Sequence, residues 1–221
     1  MPDSTNLKME TNIAVAMRDG VTLYADIYRP DGEDLYPTIL QRTPYDKTNS
    51  LTNTMLDPIR AAKAGFAVVI QDTRGRHASE GEFYAFRDDI DDGYDTVEWA
   101  AAQPWSNGKV GMYGASYVGA TQWLAATSRP PHLVTIVPTV TASNYHDGWT
   151  YQGGAFELGF NMSWTLLQLT LANFKNVSTV QNVPEERRAN LIHDVDNMTE
   201  SFSYLPTKDF PGLDSGLAKY Y

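Results

Sequence analysis

The sequence predicts an α/β fold, a mostly parallel sheet led by an antiparallel hairpin, on three observations. Two early strand-like segments flank an Asp19-Gly20 pair, a common hairpin signal. From about residue 38 to 140, short apolar runs alternate with helical patterns, the signature of βαβ units and a parallel sheet. Phe66 to Gln71 (F-A-V-V-I-Q) is almost continuously apolar, as befits a strand buried on both faces.

Taken in order, the hairpin strands are expected over residues 10–17 and 21–29, followed by a short apolar strand over 38–42 and a helix over 52–64 that stops before Gly65. The apolar run at 66–71 is the fourth strand. A helix over 87–102 carries Asp88, Asp89, Asp91 and Asp92 in its first turns, where carboxylates favour the positive end of the dipole and a solvated face is expected. Then come a strand over 110–113, a helix over 116–128 and a strand over 133–140. A leading antiparallel hairpin followed by this alternation suggests an α/β-hydrolase-like layout. After Thr141 the alternation stops, and helices are expected over 155–174 and about 184–198, with Pro184 and two glutamates marking the second start. The expected organisation is therefore a core over 1–143 and a helical insertion over 144–221.

Composition narrows the function. At 221 residues the chain is long enough for one domain and part of another. Its formal charge of −10 excludes a general nucleic-acid-binding role, because no basic stripe offsets phosphate repulsion. The absence of cysteine removes disulfides, thiolate nucleophiles and Cys-ligated zinc together. The polar N-terminus lacks a secretory pattern, so a cytoplasmic location is favoured. The most apolar stretch, 155–174, is interrupted by Glu157, Asn161, Gln168 and Asn173, and no membrane span is expected. The Asp88–Gly93 run does not fit the calcium-loop template in either register, and no metal or organic cofactor is expected.

One segment carries chemistry. The strand K-V-G-M-Y runs into Gly114-Ala115-Ser116-Tyr117-Val118-Gly119 and then into the helix T-Q-W-L-A-A. Strand, tight turn and helix with a serine at the apex form the context of a nucleophile elbow. The helix N-terminus behind Ser116 favours developing negative charge. Ser116 also lies where it would cap that helix. The spacing is unusual, G-x-S-Y-x-G in place of G-x-S-x-G. A second loop, Arg42-Thr43-Pro44-Tyr45-Asp46-Lys47, follows the third strand, where α/β hydrolases draw part of their oxyanion hole. A Tyr45 hydroxyl held there would act alongside the Tyr117 amide.

Together, R-T-P-Y-D-K at 42–47, Q-D-T-R-G-R-H-A-S-E-G-E-F at 71–83, D-G-Y-D-T-V-E-W at 92–99 and W-S-N-G-K-V-G-M-Y-G-A-S-Y-V-G at 105–119 resemble the CocE/NonD hydrolases. That family includes cocaine esterase, X-prolyl dipeptidyl-peptidases and α-amino-acid ester hydrolases. The resemblance covers at least residues 10–145. It implies an α/β-hydrolase core with a helical cap inserted after the sixth strand, and in longer members a C-terminal jelly roll. It implies Ser116 as nucleophile, with the Tyr45 hydroxyl and the Tyr117 amide as oxyanion donors.

A serine needs a base, and in these folds the acid and histidine follow the nucleophile in chain order. The chain ends at Tyr221, inside the expected cap, so the expectation is the N-terminal part of a longer hydrolase, inactive alone and lacking its last core strands, triad Asp and His. Of the four histidines, His77 lies in the loop after the fourth strand, His132 at the opposite sheet edge, and His193 beside Asp194 and Asp196 on a solvated helix face. His146 follows the sixth strand on the same edge as Ser116, the one histidine placed within reach to act as its base, with pocket lining the favoured role. Asp72 and Arg74 are expected to pair beneath the site. Trp149, Phe156 and Trp164 are expected to pack in the core or cap, and the three Asn-x-Ser/Thr triplets are read as chance.

The function expected is hydrolysis of an ester, amide or peptide bond through an acyl-enzyme. Simple carboxylesters, amino esters and dipeptides all stay open as substrates; Glu157 and Asp147 are the acidic candidates for binding a free amine. The partners expected are the small-molecule substrate and either the remainder of the same protein or a second copy. The alternative is a non-catalytic α/β-hydrolase-like binding module.

Overall fold

A computed structural model describes residues 6–50, 54–170 and 184–214. The chain divides into two compact units, Met1–Ser143 and Asn144–Tyr221.

The first unit is built on a six-stranded sheet. The strands are β1 (Leu7–Ala16), β2 (Thr22–Pro30), β3 (Tyr36–Thr43), β4 (Ala67–Asp72), β5 (Ser106–Ala115) and β6 (Leu133–Thr139), in the order β1-β2-β4-β3-β5-β6. Strands β1 and β2 form the antiparallel hairpin, and β2 pairs antiparallel with β4. From β4 through β3 and β5 to β6 every pairing is parallel. All four parallel strands therefore end at one edge, with Thr43 opposite Asp72 and Ala115 opposite Thr139.

Strand β4 shows why its residues 67–70 are uniformly apolar. Ala67 and Val69 join the main core with Val15, Leu23, Leu40, Val97, Met112 and Ala125. The alternate residues Val68 and Ile70 pack with Ala61 on the other side, since successive strand side chains face opposite ways. Thus α2 (Asp89–Ala101) and α3 (Tyr117–Thr127) cover one face, and α1 (Pro58–Lys63) lies on the other.

Helix α1 is shorter than the expected 52–64. Asp57 caps it, its Oδ1 accepting from the Ile59 and Arg60 amides at 2.9 and 3.1 Å, with Pro58 at the first helical position. That Asp-Pro pair is a start signal of its own. Residues 51–53 lie outside the described residues.

The second unit also departs from expectation. Residues 155–174 are not one helix. A small hairpin, β7 (Tyr151–Gln152) with β8 (Ala155–Phe156), turns through Gly153 and Gly154, both at positive φ. Helix α4 (Leu158–Ser163) follows and runs into a π-helical segment, Trp164–Thr170, while 171–174 lie outside the described residues. A helix spans Glu185–Asp196. Met162, Leu166, Leu191 and Phe210 form this unit's own core.

Candidate active site

Ser116 stands at the end of β5 with φ 59° and ψ −125°, left-handed backbone that residues bearing a Cβ seldom adopt. Its amide donates to the Thr139 carbonyl of β6 at 2.9 Å, and its own carbonyl accepts from the Gly119 and Ala120 amides. The turn is thus held from both sides. Its side chain makes no capping hydrogen bond, so capping does not occupy the hydroxyl, and the residue is half-buried.

The displaced second glycine has a steric explanation. A Cβ at Gly119 would stand 2.6 Å from the Thr141 Cγ2 and 3.3 Å from the Thr139 carbonyl oxygen, so the first turn of α3 approaches the end of β6 too closely for a side chain. Position 118, glycine in the common pattern, is Val118 here. Its Cγ1 lies 2.2 Å from where a Gly114 Cβ would be, and Gly114 has φ 135°. Val118 and Gly114 are fitted to each other.

Tyr45 follows β3 at the same carboxyl edge. Its ring meets the Tyr117 ring edge-on, centroids 6.3 Å apart, so the two segments singled out in the sequence come together. The Tyr117 side chain turns away from the turn's surface and is 2% exposed. Its hydroxyl donates to the Asp89 Oδ2 at 2.7 Å and accepts from the Phe86 amide at 2.9 Å, and its ring stacks on Phe86 at 4.6 Å. Burial, with Asp89 alongside, holds that phenol well above the ordinary tyrosine range, so it remains a neutral donor.

Residues 19–205 match the family model described as X-Pro dipeptidyl-peptidase (S15 family). The chain belongs to this family. It is 42% identical over 165 residues to cocaine esterase from a Rhodococcus species, an alignment covering 73% of this chain and 29% of that protein. Among solved structures it is similar to a CocE/NonD family hydrolase from Staphylococcus aureus, with TM-score 0.69 and 27% identity over 90% of this chain and 39% of that one. It is also similar to an α-amino acid ester hydrolase, with TM-score 0.60 and 31% identity over 76% and 31% of the two chains. The chain therefore spans well under half the length of these relatives.

Beneath the turn of this S15-family chain lies a buried charge network that sequence reasoning missed. Arg42, entirely buried, donates from Nε to the Gln71 Oε1 at 2.9 Å and from Nη1 to the Asp89 Oδ1 at 3.0 Å. Thr96 donates to the same Gln71 oxygen at 3.0 Å. Asp92, 1% exposed, accepts two bonds from Arg74 at 3.0 and 2.6 Å. The start of α2 is therefore only in part a solvated acidic face: Asp91 is exposed, but Asp89 and Asp92 are buried and each is paired with an arginine. Burial pushes the Asp89 carboxyl up, while Arg42 and the Tyr117 hydroxyl oppose that shift and stabilise its anion. The expected Asp72–Arg74 pair is also corrected. Arg74 pairs with Asp92 and Asp19, and Asp72 with Lys47, whose Nζ is 3.0 Å away.

Of the histidines, His77 packs against the Tyr45 loop, its Nε2 3.1 Å from the Pro44 carbonyl oxygen. His132 precedes β6 at the opposite edge and contacts Glu98 at 2.7 Å. In the second unit, His146 bonds its neighbour Asp147 and both are exposed; His193 is exposed beside Asp194. Trp149 packs edge-on against Tyr145 and Phe160, Trp164 stacks on Phe160, and Phe156 meets Tyr151. The Asn161 amide is used internally, donating to the Glu157 and Thr150 carbonyls. Among the described residues, no group of three or more His, Cys, Asp or Glu is placed to hold a metal ion, and no helix is long and apolar enough to cross a membrane.

Proposed function

We propose that the protein carrying this chain is a serine hydrolase that cleaves an ester, amide or peptide bond through an acyl-enzyme. In this reading Ser116 attacks the substrate carbonyl. The Tyr45 hydroxyl and the Tyr117 amide donate to the oxyanion of the tetrahedral intermediate, where donors stabilise charge developing in the transition state. The observation that carries this reading is the meeting of Tyr45 and Tyr117, rings 6.3 Å apart, beside a serine at φ 59°. The esterase and hydrolase relatives support the same chemistry.

A general base must take the serine proton. Within the first unit, His132 is at the wrong edge and His77 spends its Nε2 on Pro44. We assign the triad acid and histidine to a segment beyond residues 1–221, and read residues 144–221 as the start of the helical cap. The substrate follows the relatives: a carboxylester, an amino-acid ester or an X-Pro dipeptide unit, with Glu157 and Asp147 the acidic candidates for a free amine.

The test is fluorophosphonate labelling of the full-length protein and turnover of a chromogenic ester. Labelling at Ser116 and loss of both reactions in Ser116→Ala support the reading; no Ser116 adduct overturns it. Comparing an amino-acyl ester with its N-acetylated form decides whether a free amine is recognised. The alternative, a non-catalytic binding module, is favoured by the apolar surface of β6, where Val134 and Val137 are 59% and 54% exposed. An unlabelled Ser116 would select it.

A further inference from the structure

The segment Asp72–Phe83 has no role in the chemistry above, yet two of its side chains converge on one atom of the Tyr45 loop. Arg76 donates from Nε to the Pro44 carbonyl oxygen at 2.9 Å, and the His77 Nε2 lies 3.1 Å from the same oxygen. A carbonyl only accepts, so this contact makes the His77 Nε2 the protonated nitrogen. Pro44 immediately precedes Tyr45. On the far side of Tyr45, the Lys47 amide donates to the Asp72 Oδ1 at 2.8 Å and its Nζ pairs with the Oδ2 at 3.0 Å. Tyr45 is thus carried on a short span stitched at one end to the loop after β4 and at the other to Asp72, the last residue of β4.

The stitching holds strained backbone. Asp46 has φ 81° and His77 φ 50°, and the two face each other, with the His77 Nδ1 3.6 Å from the Asp46 Oδ2. Residues bearing a Cβ keep such conformations only where their surroundings over-determine them. Arg76 is 1% exposed and lies over the Phe83 ring at 4.6 Å. Phe83 in turn packs 6.1 Å from the Tyr117 ring, so the clamp on one proposed oxyanion donor rests on the residue that supplies the other.

We propose that His77, acting with Arg76 through the Pro44 carbonyl, is a positioning residue that holds Tyr45 in place for oxyanion stabilisation. The proposal rests on the reading of Tyr45 as an oxyanion donor. His77 touches neither the substrate nor Ser116 in this role. It acts by fixing the backbone from which the tyrosine projects, and misplacement of a catalytic group by about 1 Å costs up to 10²-fold in rate.

The test measures ester turnover by the full-length protein and its His77 and Tyr45 variants. His77→Ala is expected to lower kcat about tenfold with KM unchanged. His77→Gln, whose side-chain amide again offers an N–H to Pro44, restores most of it. In a Tyr45→Phe background, His77→Ala causes no further loss, because residues acting through one another are not additive. An unchanged kcat in His77→Ala, or an equal loss with and without the Tyr45 hydroxyl, overturns the proposal. A wild-type kcat in Tyr45→Phe instead removes the oxyanion assignment on which it rests. If His77→Ala does not fold, nitrogen NMR of histidine-labelled protein decides, with His77→Gln identifying the resonance. An Nε2–H tautomer at neutral pH supports the clamp and an Nδ1–H tautomer overturns it.

Discussion

The Tyr117 hydroxyl donates to the Asp89 carboxylate at 2.7 Å, in a place where neither residue is more than 4% exposed. The residue after Ser116 is therefore tied at its far end to the start of α2. Tyr117→Phe removes that donor and leaves the Phe86 amide without the acceptor it uses at 2.9 Å. An unmade buried hydrogen bond costs about 1–3 kcal/mol. The expected outcome is a loss of stability in that range by urea denaturation, accompanied by a fall in kcat, since the backbone amide beside Ser116 loses its tether.

Arg42 and Asp89 form the next link, and their separation should be more costly. Asp89→Ala leaves the Arg42 guanidinium buried with Gln71 as its nearest neutral partner and Asp92 at 3.8 Å. Breaking a buried pair by deleting one member costs about 3–5 kcal/mol. Urea denaturation is expected to show Asp89→Ala destabilised by more than Tyr117→Phe.

Tyr45→Phe isolates the proposed oxyanion hydroxyl. Loss of one such donor lowers kcat roughly 10²–10³-fold. The fall is expected in kcat, with little change in KM, because the bond strengthens in the transition state. Steady-state kinetics on a chromogenic ester check it, and an unaltered kcat would remove the assignment.

His77 should leave a mark on the pH dependence of stability. Burial pushes its imidazole below the usual histidine pKa of 6.5, with Arg76 acting in the same direction and Asp72 and Asp46 opposing. The folded state thus prefers the neutral ring, and the unfolded chain binds more protons just below pH 6.5. This contribution is fully present above that pH and is lost as pH falls from 6.5 through the folded value. Asp72, whose carboxyl burial pushes up against the pull of Lys47 and His77, contributes the opposite slope above about pH 4. Melting temperatures of wild type and His77→Gln across pH 4–8 should differ in slope below pH 6.5, with the variant flatter.

The second motif glycine offers a steric test. Gly119→Ala gains helix propensity of up to about 1 kcal/mol, but its methyl would fall 2.6 Å from the Thr141 Cγ2. Overpacking of this kind costs about 1–3 kcal/mol. Net destabilisation by urea denaturation is the expected outcome, and a stabilised variant would show that the end of β6 yields easily.

Much of the first unit was legible because its signals are local. Asp19-Gly20 marks the hairpin, the apolar run at β4 marks a doubly buried strand, and the glycine-flanked Ser116 joins β5 to α3. What escaped was set by distant partners. Asp89 and Asp92 look like a solvated helix start until Arg42, 47 residues from Asp89, and Arg74, 18 from Asp92, are brought to them by β3 and the loop after β4. Asp72 and Arg74 lie two residues apart but have different partners, Asp72 meeting Lys47 and Arg74 reaching Asp92 and Asp19. The hairpin of the second unit was legible in principle, since Gly153-Gly154 is a turn signal, but the surrounding apolar residues suggested a longer helix.

For anyone reshaping substrate preference by mutation, the orientation of Tyr117 carries a practical warning. Its position next to Ser116, the proposed nucleophile, invites randomisation, yet its side chain is 2% exposed and points into the protein. Diversity at 117 would generate folding defects in place of new selectivity. Positions 42, 89 and 117 are better inherited as one block, with variation directed to side chains that reach solvent.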